Sequence, residues 1–374
     1  MINFNKPFFT GNETRYIEKA VSLGHISGNG MFTKKCQHFF EKKYGIKKAL
    51  LTTSCTDALE MCALLLNIKE GDEIIMPSYT FVSTANAFVL RGAKIIFCDS
   101  KKNQPNIDET KIEKLISERT KAIVVVHYAG VACEMDEILS IAKKHSLFVV
   151  EDAAQAIESY YKGRPLGSIG HLATFSFHET KNIQCGEGGL LAINDKQFME
   201  RAEIIWQKGT NRSAFFRGEI DKYGWVDIGS SFLPSEIVAA FLWAQLENLK
   251  MIQERRKNIW ENYQAAFQVL KNNGVRIPYL TDTSTNNAHM YYLVCNSLEE
   301  RNQLINNLQE KKINAVFHYI PLHSSDYFNS KYNGDKLINC DNYSNCIIRL
   351  PMYFELNKAA QVNIINCVLN FYSS

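Results

Sequence analysis

Ala122-Ile123-Val124-Val125-Val126-His127 and, further along, Leu147-Phe148-Val149-Val150-Glu151-Asp152-Ala153-Ala154-Gln155 decide the architecture of this chain. The continuous Ile and Val run at Ala122–His127 offers no polar face to water and reads as a strand covered on both sides, as in a parallel sheet between helices, and Leu147–Glu151 reads as another apolar strand ending in acid. Between them, Met135–Lys144 carries a helical pattern, which completes a strand–helix–strand unit. The same alternation extends towards the N-terminus. Lys48–Thr52, Glu73–Met76 and Lys94–Cys98 read as strands, with Pro77 ending the second. Thr56–Leu66 and Ser83–Leu90 read as helices, the former with Leu59, Cys62, Ala63 and Leu66 on one face.

Beyond Asp152 the pattern changes. Short strands at Leu172–Phe177 and Gly189–Ile193 flank a polar, glycine-rich loop. One long, bent helix is expected from about Pro234 to Leu270, ending near Asn272-Asn273-Gly274, with Thr281–Asn287 as a polar connector. The remainder predicts a smaller α+β unit, with strands at Met290–Cys295 and Ala315–Tyr319 and helices at Leu298–Lys311 and Lys358–Phe371. The expected fold is therefore α/β: a large domain with a mostly parallel sheet over residues 1–245, then a smaller α+β domain over 246–374.

Composition narrows the function. At 374 residues, 46% hydrophobic and 22% charged, the chain has the make-up of a soluble globular protein. A net charge of +3 with no Lys/Arg block argues against nucleic-acid binding. No run of about 18 apolar residues calls for a membrane span. The ten cysteines are scattered singly, without the spacing of a zinc site, so no metal is expected. The N-terminal residues lack the apolar stretch of a signal peptide, and a cytoplasmic protein with reduced thiols is the expectation.

In open α/β sheets ligands bind beyond the carboxyl ends of the strands, and four polar stretches fall there. Thr53-Ser54-Cys55-Thr56 opens a helix and suits a phosphate, or serves only as a helix cap. Glu151-Asp152-Ala153-Ala154-Gln155 supplies a carboxylate that could hold a protonated ring nitrogen, or close an ion pair. Phe175-Ser176-Phe177-His178-Glu179-Thr180-Lys181-Asn182, opening into Gly186-Glu187-Gly188-Gly189, suits a Schiff-base lysine, against the plain alternative of a solvated one. Pro77-Ser78-Tyr79-Thr80-Phe81 offers aromatics for a flat ring, or for the core.

In this order and context, together with Pro321-Leu322-His323, these stretches resemble the DegT/DnrJ/EryC1/StrS sugar aminotransferases. The resemblance implies the fold-type-I, aspartate-aminotransferase-like architecture of pyridoxal-5′-phosphate (PLP) transferases. It implies Lys181 as the lysine that carries PLP and shuttles the proton, and Asp152 as the partner of the pyridine nitrogen. Gln155 would meet the ring hydroxyl and Phe81 stack on the ring, while Ser54, Cys55 and Ser176 would hold the phosphate. Ser231 stands where many members have an asparagine that reaches the neighbouring subunit's cofactor. A homodimer with shared active sites is implied.

Further segments narrow the likeness: Met76–Phe88, Lys208–Arg212, Asp227–Ser231 and Phe317–His323. They are similar to the branch that makes dTDP-4-amino-4,6-dideoxygalactose. That likeness implies a dTDP-4-keto-6-deoxyglucose acceptor and an L-glutamate donor, with Arg212, His318, Tyr319 and His323 as nucleotide-sugar contacts. A gluco product, a C3 keto-sugar transaminase and a non-enzymatic PLP-binding regulator are the alternatives. A dinucleotide-binding dehydrogenase would need a Gly-x-Gly-x-x-Gly turn, which Thr53–Thr56 is not.

Overall fold

The computed structural model describes residues 1–373. In chain order it contains α1 (Glu13–Ser22), α2 (Met31–Tyr44), β1 (Lys48–Thr52), α3 (Cys55–Leu65), β2 (Glu73–Pro77), α4 (Val82–Val89) and β3 (Lys94–Cys98). There follow β4 (Thr120–Val126), α5 (Met135–Lys144), β5 (Phe148–Asp152), the short pair β6 (Tyr160–Tyr161) and β7 (Arg164–Pro165), β8 (Leu172–Ser176) and β9 (Gly189–Ile193). The second half holds α6 (Met199–Trp206), α7 (Arg212–Phe216), α8 (Glu236–Glu247), α9 (Leu249–Ala266), β10 (Tyr291–Val294), α10 (Leu298–Glu310), α11 (Ile338–Cys346), β11 (Ile347–Leu350) and α12 (Lys358–Ser373).

Seven strands form one sheet in the order β1-β9-β8-β5-β4-β2-β3, and only β9 runs against the others. The two apolar runs lie side by side near its middle, as β4 and β5 in parallel register. Ile123, Val124, Val125, Val149 and Val150 are each fully buried, which is why neither strand needed a polar face. Separate apolar cores cover the two faces of the sheet, one built on Leu59, Phe88 and Trp206, the other on Phe40, Ile138 and Leu242. A third core gathers Tyr263, Tyr291, Leu308 and Ile364 around the two-stranded sheet β10–β11. The first residues of the chain join that C-terminal unit, through an isolated pairing of Ile2 with Ile313.

Two expectations are corrected. The helix foreseen from Pro234 to Leu270 is two helices, broken at Asn248, whose side chain caps the end of α8 by donating to the Ala244 carbonyl at 2.9 Å. The break lets α8 face the core of the large sheet through Ala239, Ala240 and Leu242, while α9 turns Ile259 and Tyr263 to the third core. The strand foreseen at Ala315–Tyr319 does not form. Val316 alone bridges to Arg349, and the true partner of β10 is β11, a segment the sequence reading left unassigned. Among the described residues no helix is long and apolar enough to cross a membrane, and no cluster of His, Cys, Asp and Glu has the arrangement of a metal site.

Candidate active site

A cavity of about 620 Å³ opens beyond the carboxyl ends of the parallel strands. One wall is the sheet. There β1 runs out into the Thr53–Cys55 turn, and Ser54 caps α3 by accepting the Asp57 N–H at 3.0 Å. The turn is closed from beside by β9. A Cβ on Gly189 would meet the Cys55 nitrogen and the Ser54 carbonyl at 2.4 Å, so only glycine allows this approach. The N–H groups of Cys55 and Thr56 have no acceptor among the described residues, leaving donors at the positive end of α3 facing the cavity. Burial pushes the Cys55 thiol up to about 12, so it stays protonated and acts as a small apolar wall.

At the end of β5 two adjacent carboxylates have opposite surroundings. Glu151 is completely buried, and burial alone would raise its pKa. His127 Nε2 at 2.9 Å and the N–H groups of Gly167, Ile169 and Gly170 hold it below the usual carboxylate range instead. All its acceptor capacity is spent inside the protein. Asp152 faces the cavity and, among the described residues, receives only the Thr84 hydroxyl at 2.7 Å and the Ala154 N–H at 3.2 Å. Burial therefore raises its pKa despite Thr84, and the carboxylate gains by meeting a cation.

Lys181 lies in the β8–β9 connection. That loop is fixed by Lys181 N–H to the His178 carbonyl (2.9 Å), Glu179 N–H to the Gly186 carbonyl (2.9 Å) and Cys185 N–H to the Phe177 carbonyl (2.8 Å). Asn182, next in the chain, is clamped by Gln253 and the Asn287 carbonyl, both at 2.8 Å, and by His289 Nδ1 at 2.9 Å. The Lys181 ammonium lines the cavity with no hydrogen-bond acceptor among the described residues. Burial lowers its pKa, opposed by Cys55 and Asp152 and assisted by Arg349.

The opposite wall comes from the C-terminal unit. His318, Tyr319, His289, Met290, Arg349 and Met352 line it, joined by Phe4 and Asn5 from the start of the chain. Tyr319 accepts from Gln155 Nε2 at 3.3 Å, and its ring lies 6.0 Å from that of Phe81, so the walls meet over the cavity. Burial lowers the pKa of both His318 and His289, and Arg349 and Lys181 lower each further; both imidazoles are held neutral.

Of the residues singled out in the sequence, Ser54, Cys55, Phe81, Asp152, Gln155, Ser176, Lys181, His318 and Tyr319 line this one cavity. Tyr79 instead joins the core, against Tyr128 and Tyr343. His323 lies outside the cavity, where its Nδ1 pairs with the Ser78 hydroxyl at 2.8 Å and its Nε2 faces Asp341 at 3.3 Å. Those contacts staple the β2–α4 loop to the C-terminal unit. Arg212, stacked on Phe216 at 5.0 Å, and the exposed Ser231 also lie away from the cavity within one chain. Sequence reasoning passed over Thr84, His289 and Arg349. For Arg349 a signal existed, a lone cation in the apolar run Ile347-Ile348-Arg349-Leu350.

These residues fit PLP. An unpaired lysine amine, a carboxylate poised for a ring cation and a glycine-bordered set of free N–H groups surround the same space. Comparison with known proteins agrees. The DegT/DnrJ/EryC1/StrS aminotransferase family model matches residues 9–369. The chain is 32% identical to the spore coat polysaccharide biosynthesis protein SpsC of Bacillus subtilis, over 98% of this chain and 95% of that one. It is 31% identical to the GDP-perosamine synthase of Escherichia coli O157:H7, over 98% of each. Among solved structures, the PMP-form of the putative sugar aminotransferase Spr1654 from Streptococcus pneumoniae superposes with a TM-score of 0.91 at 26% identity, covering 100% of this chain and 99% of that one.

Proposed function

Because the chain belongs to the DegT/DnrJ/EryC1/StrS aminotransferase family and is a PLP-dependent sugar aminotransferase, we propose Lys181 and Asp152 as its catalytic residues. The observation that carries this is the unpaired Lys181 amine sharing one cavity with Asp152. Bound there, PLP supplies the electron sink that lets an amino group leave one carbon and reach another. Asp152, steadied by Thr84, would hold the ring nitrogen in its protonated form. Lys181, its pKa lowered by burial, would hold the cofactor, and its amine would take up and return the proton that the chemistry requires. Ser54, Cys55 and Ser176 would hold the phosphate, Gln155 would meet the ring hydroxyl, and Phe81 would cover the ring.

The acceptor we propose is dTDP-4-keto-6-deoxyglucose, aminated to the galacto 4-amino-4,6-dideoxyhexose with L-glutamate as donor, for a surface polysaccharide such as an O-antigen. His318 and Tyr319 touch the sugar nucleotide. A GDP-linked keto sugar is the second reading, favoured by the likeness to GDP-perosamine synthase over nearly the whole chain. We further infer a homodimer, which the exposure of Phe216 and Trp225, 68% and 84%, supports.

The test is the visible absorption of the PLP-loaded protein. Glutamate should bleach the band, and dTDP-4-keto-6-deoxyglucose should restore it. Restoration by a GDP-linked keto sugar alone would transfer the assignment to the second reading, and a band indifferent to glutamate would contradict the donor.

A further inference from the structure

We propose that His289 accepts, on its Nε2, a hydroxyl of the sugar acceptor; the inference rests on the transaminase reading above. The hydrogen bonds around Asn182 leave His289 one tautomer. Asn182 Nδ2 donates to Gln253 Oε1 and to the Asn287 carbonyl, each at 2.8 Å. Turned over, that amide would set its oxygen against the Asn287 carbonyl, which has no hydrogen to give. Asn182 Oδ1 therefore faces His289 Nδ1, at 2.9 Å, and can only accept, so Nδ1 carries the hydrogen. Burial first, and then Lys181, Arg256 and Arg349, keep a second proton off the ring. Nε2 is left as a bare lone pair.

The segment that bears the ring is held in place. The His289 N–H donates to Asn287 Oδ1 at 3.0 Å, and the His289 carbonyl accepts from Arg256 Nη2 at 2.6 Å. Ala288, at φ 53°, adopts the left-handed form that residues with a side chain disfavour, and Arg256 Nε grips its carbonyl at 3.0 Å. His289 lines the cavity, and no described residue donates to its Nε2.

Few groups can supply the missing hydrogen. The carboxylates of the donor and the diphosphate of the sugar nucleotide have none to give at neutral pH. A cationic amine would sit among Lys181, Arg256 and Arg349, the charges that already repel a proton from this ring. A sugar hydroxyl is a neutral donor and meets no such penalty. A site with a fixed acceptor also discriminates against a ligand that lacks the matching hydroxyl, because the acceptor is then left buried and unpaired. His289 thus serves the choice of sugar.

Two measurements on the PLP-loaded protein test this. Nitrogen-15 NMR with labelled histidine, assigned by the signal lost in His289→Gln, reads the tautomer directly. We expect a protonated Nδ1 and an unprotonated Nε2 from about pH 8 to about pH 6. A proton on Nε2 would overturn the proposal. Single-turnover absorption then compares dTDP-4-keto-6-deoxyglucose with its 2-deoxy and 3-deoxy forms, or the corresponding GDP-linked sugars where only those restore the band. Wild type should use one deoxy form about tenfold or more slower than the parent sugar, and His289→Phe should lose that discrimination. Discrimination kept intact in His289→Phe, whatever its overall rate, would overturn the proposal and confine His289 to orienting Asn182. A wild type indifferent to both hydroxyls would overturn it too. Wild type whose band neither glutamate nor a keto sugar alters would instead sink the transaminase reading itself.

Discussion

The two walls of the cavity are built by different rules. The sheet wall is a row of chain ends. β1, β5 and β8 stop at one edge, and Ser54 and Lys181, in the segments that follow β1 and β8, and Asp152, the last residue of β5, arrive there because parallel strands share a direction. The C-terminal wall has no such regularity. His318 and Tyr319 lie in a segment that is neither helix nor strand, and Arg349 projects from a two-stranded sheet. The first wall carries charge that is left unpaired, and the second keeps its imidazoles neutral while presenting one arginine. On this difference we propose cofactor chemistry for the sheet wall and substrate discrimination for the C-terminal unit.

Variants of the sheet wall should break this division most severely. Lys181→Ala is expected to lower turnover by about 10²–10⁴-fold or more while the circular dichroism spectrum stays native. Near-normal turnover would remove the lysine from the mechanism. Asp152→Asn should cost about 10²–10³-fold, comparable to the loss of a preorganised electrostatic partner, with saturation by glutamate little altered. Gly189→Ala drives a methyl into the Ser54–Cys55 backbone. It should weaken PLP binding, measured by equilibrium dialysis, and destabilise the fold by about 1–3 kcal/mol.

On the C-terminal wall the expected effects are smaller and appear in stability. His289, 8% exposed, is pulled well below its ordinary value by burial first, and then by Lys181, Arg256 and Arg349. As pH falls through about 6.5 the unfolded chain binds a proton there and the folded chain does not. The stability contributed by the neutral histidine is thus present in full above that pH. It is lost towards the depressed folded value, at about 1.4 kcal/mol per pH unit. Urea unfolding between pH 7 and 5 should show this slope in wild type and a shallower one in His289→Gln. Equal slopes would mean that His289 is not held neutral by the fold.

The same contrast explains what could be read from the sequence. Buried parallel strands are continuous apolar runs, so Ala122–His127 and Leu147–Gln155 announced the sheet and the residues at its edge. The roles of Glu151 and Asp152 could not be separated by neighbourhood in the chain. Which one faces the cavity depends on strand pleat and on partners 16 to 68 residues away, His127 and Gly167 for one and Thr84 for the other. The placement of His323 has a related cause. Its motif is next to the cavity, but the ring is turned to Ser78 and spent on holding two segments together. The break at Asn248 escaped detection because apolar periodicity continues across it, changing only the core that it faces.

The central claim is that Lys181, alone among the lysines, carries the cofactor. Borohydride reduction of the PLP-loaded protein followed by peptide mass mapping tests it directly. The account predicts a single pyridoxyl adduct, on the peptide that contains Lys181. An adduct on a different lysine, or none on a protein that has visibly bound PLP, would contradict it.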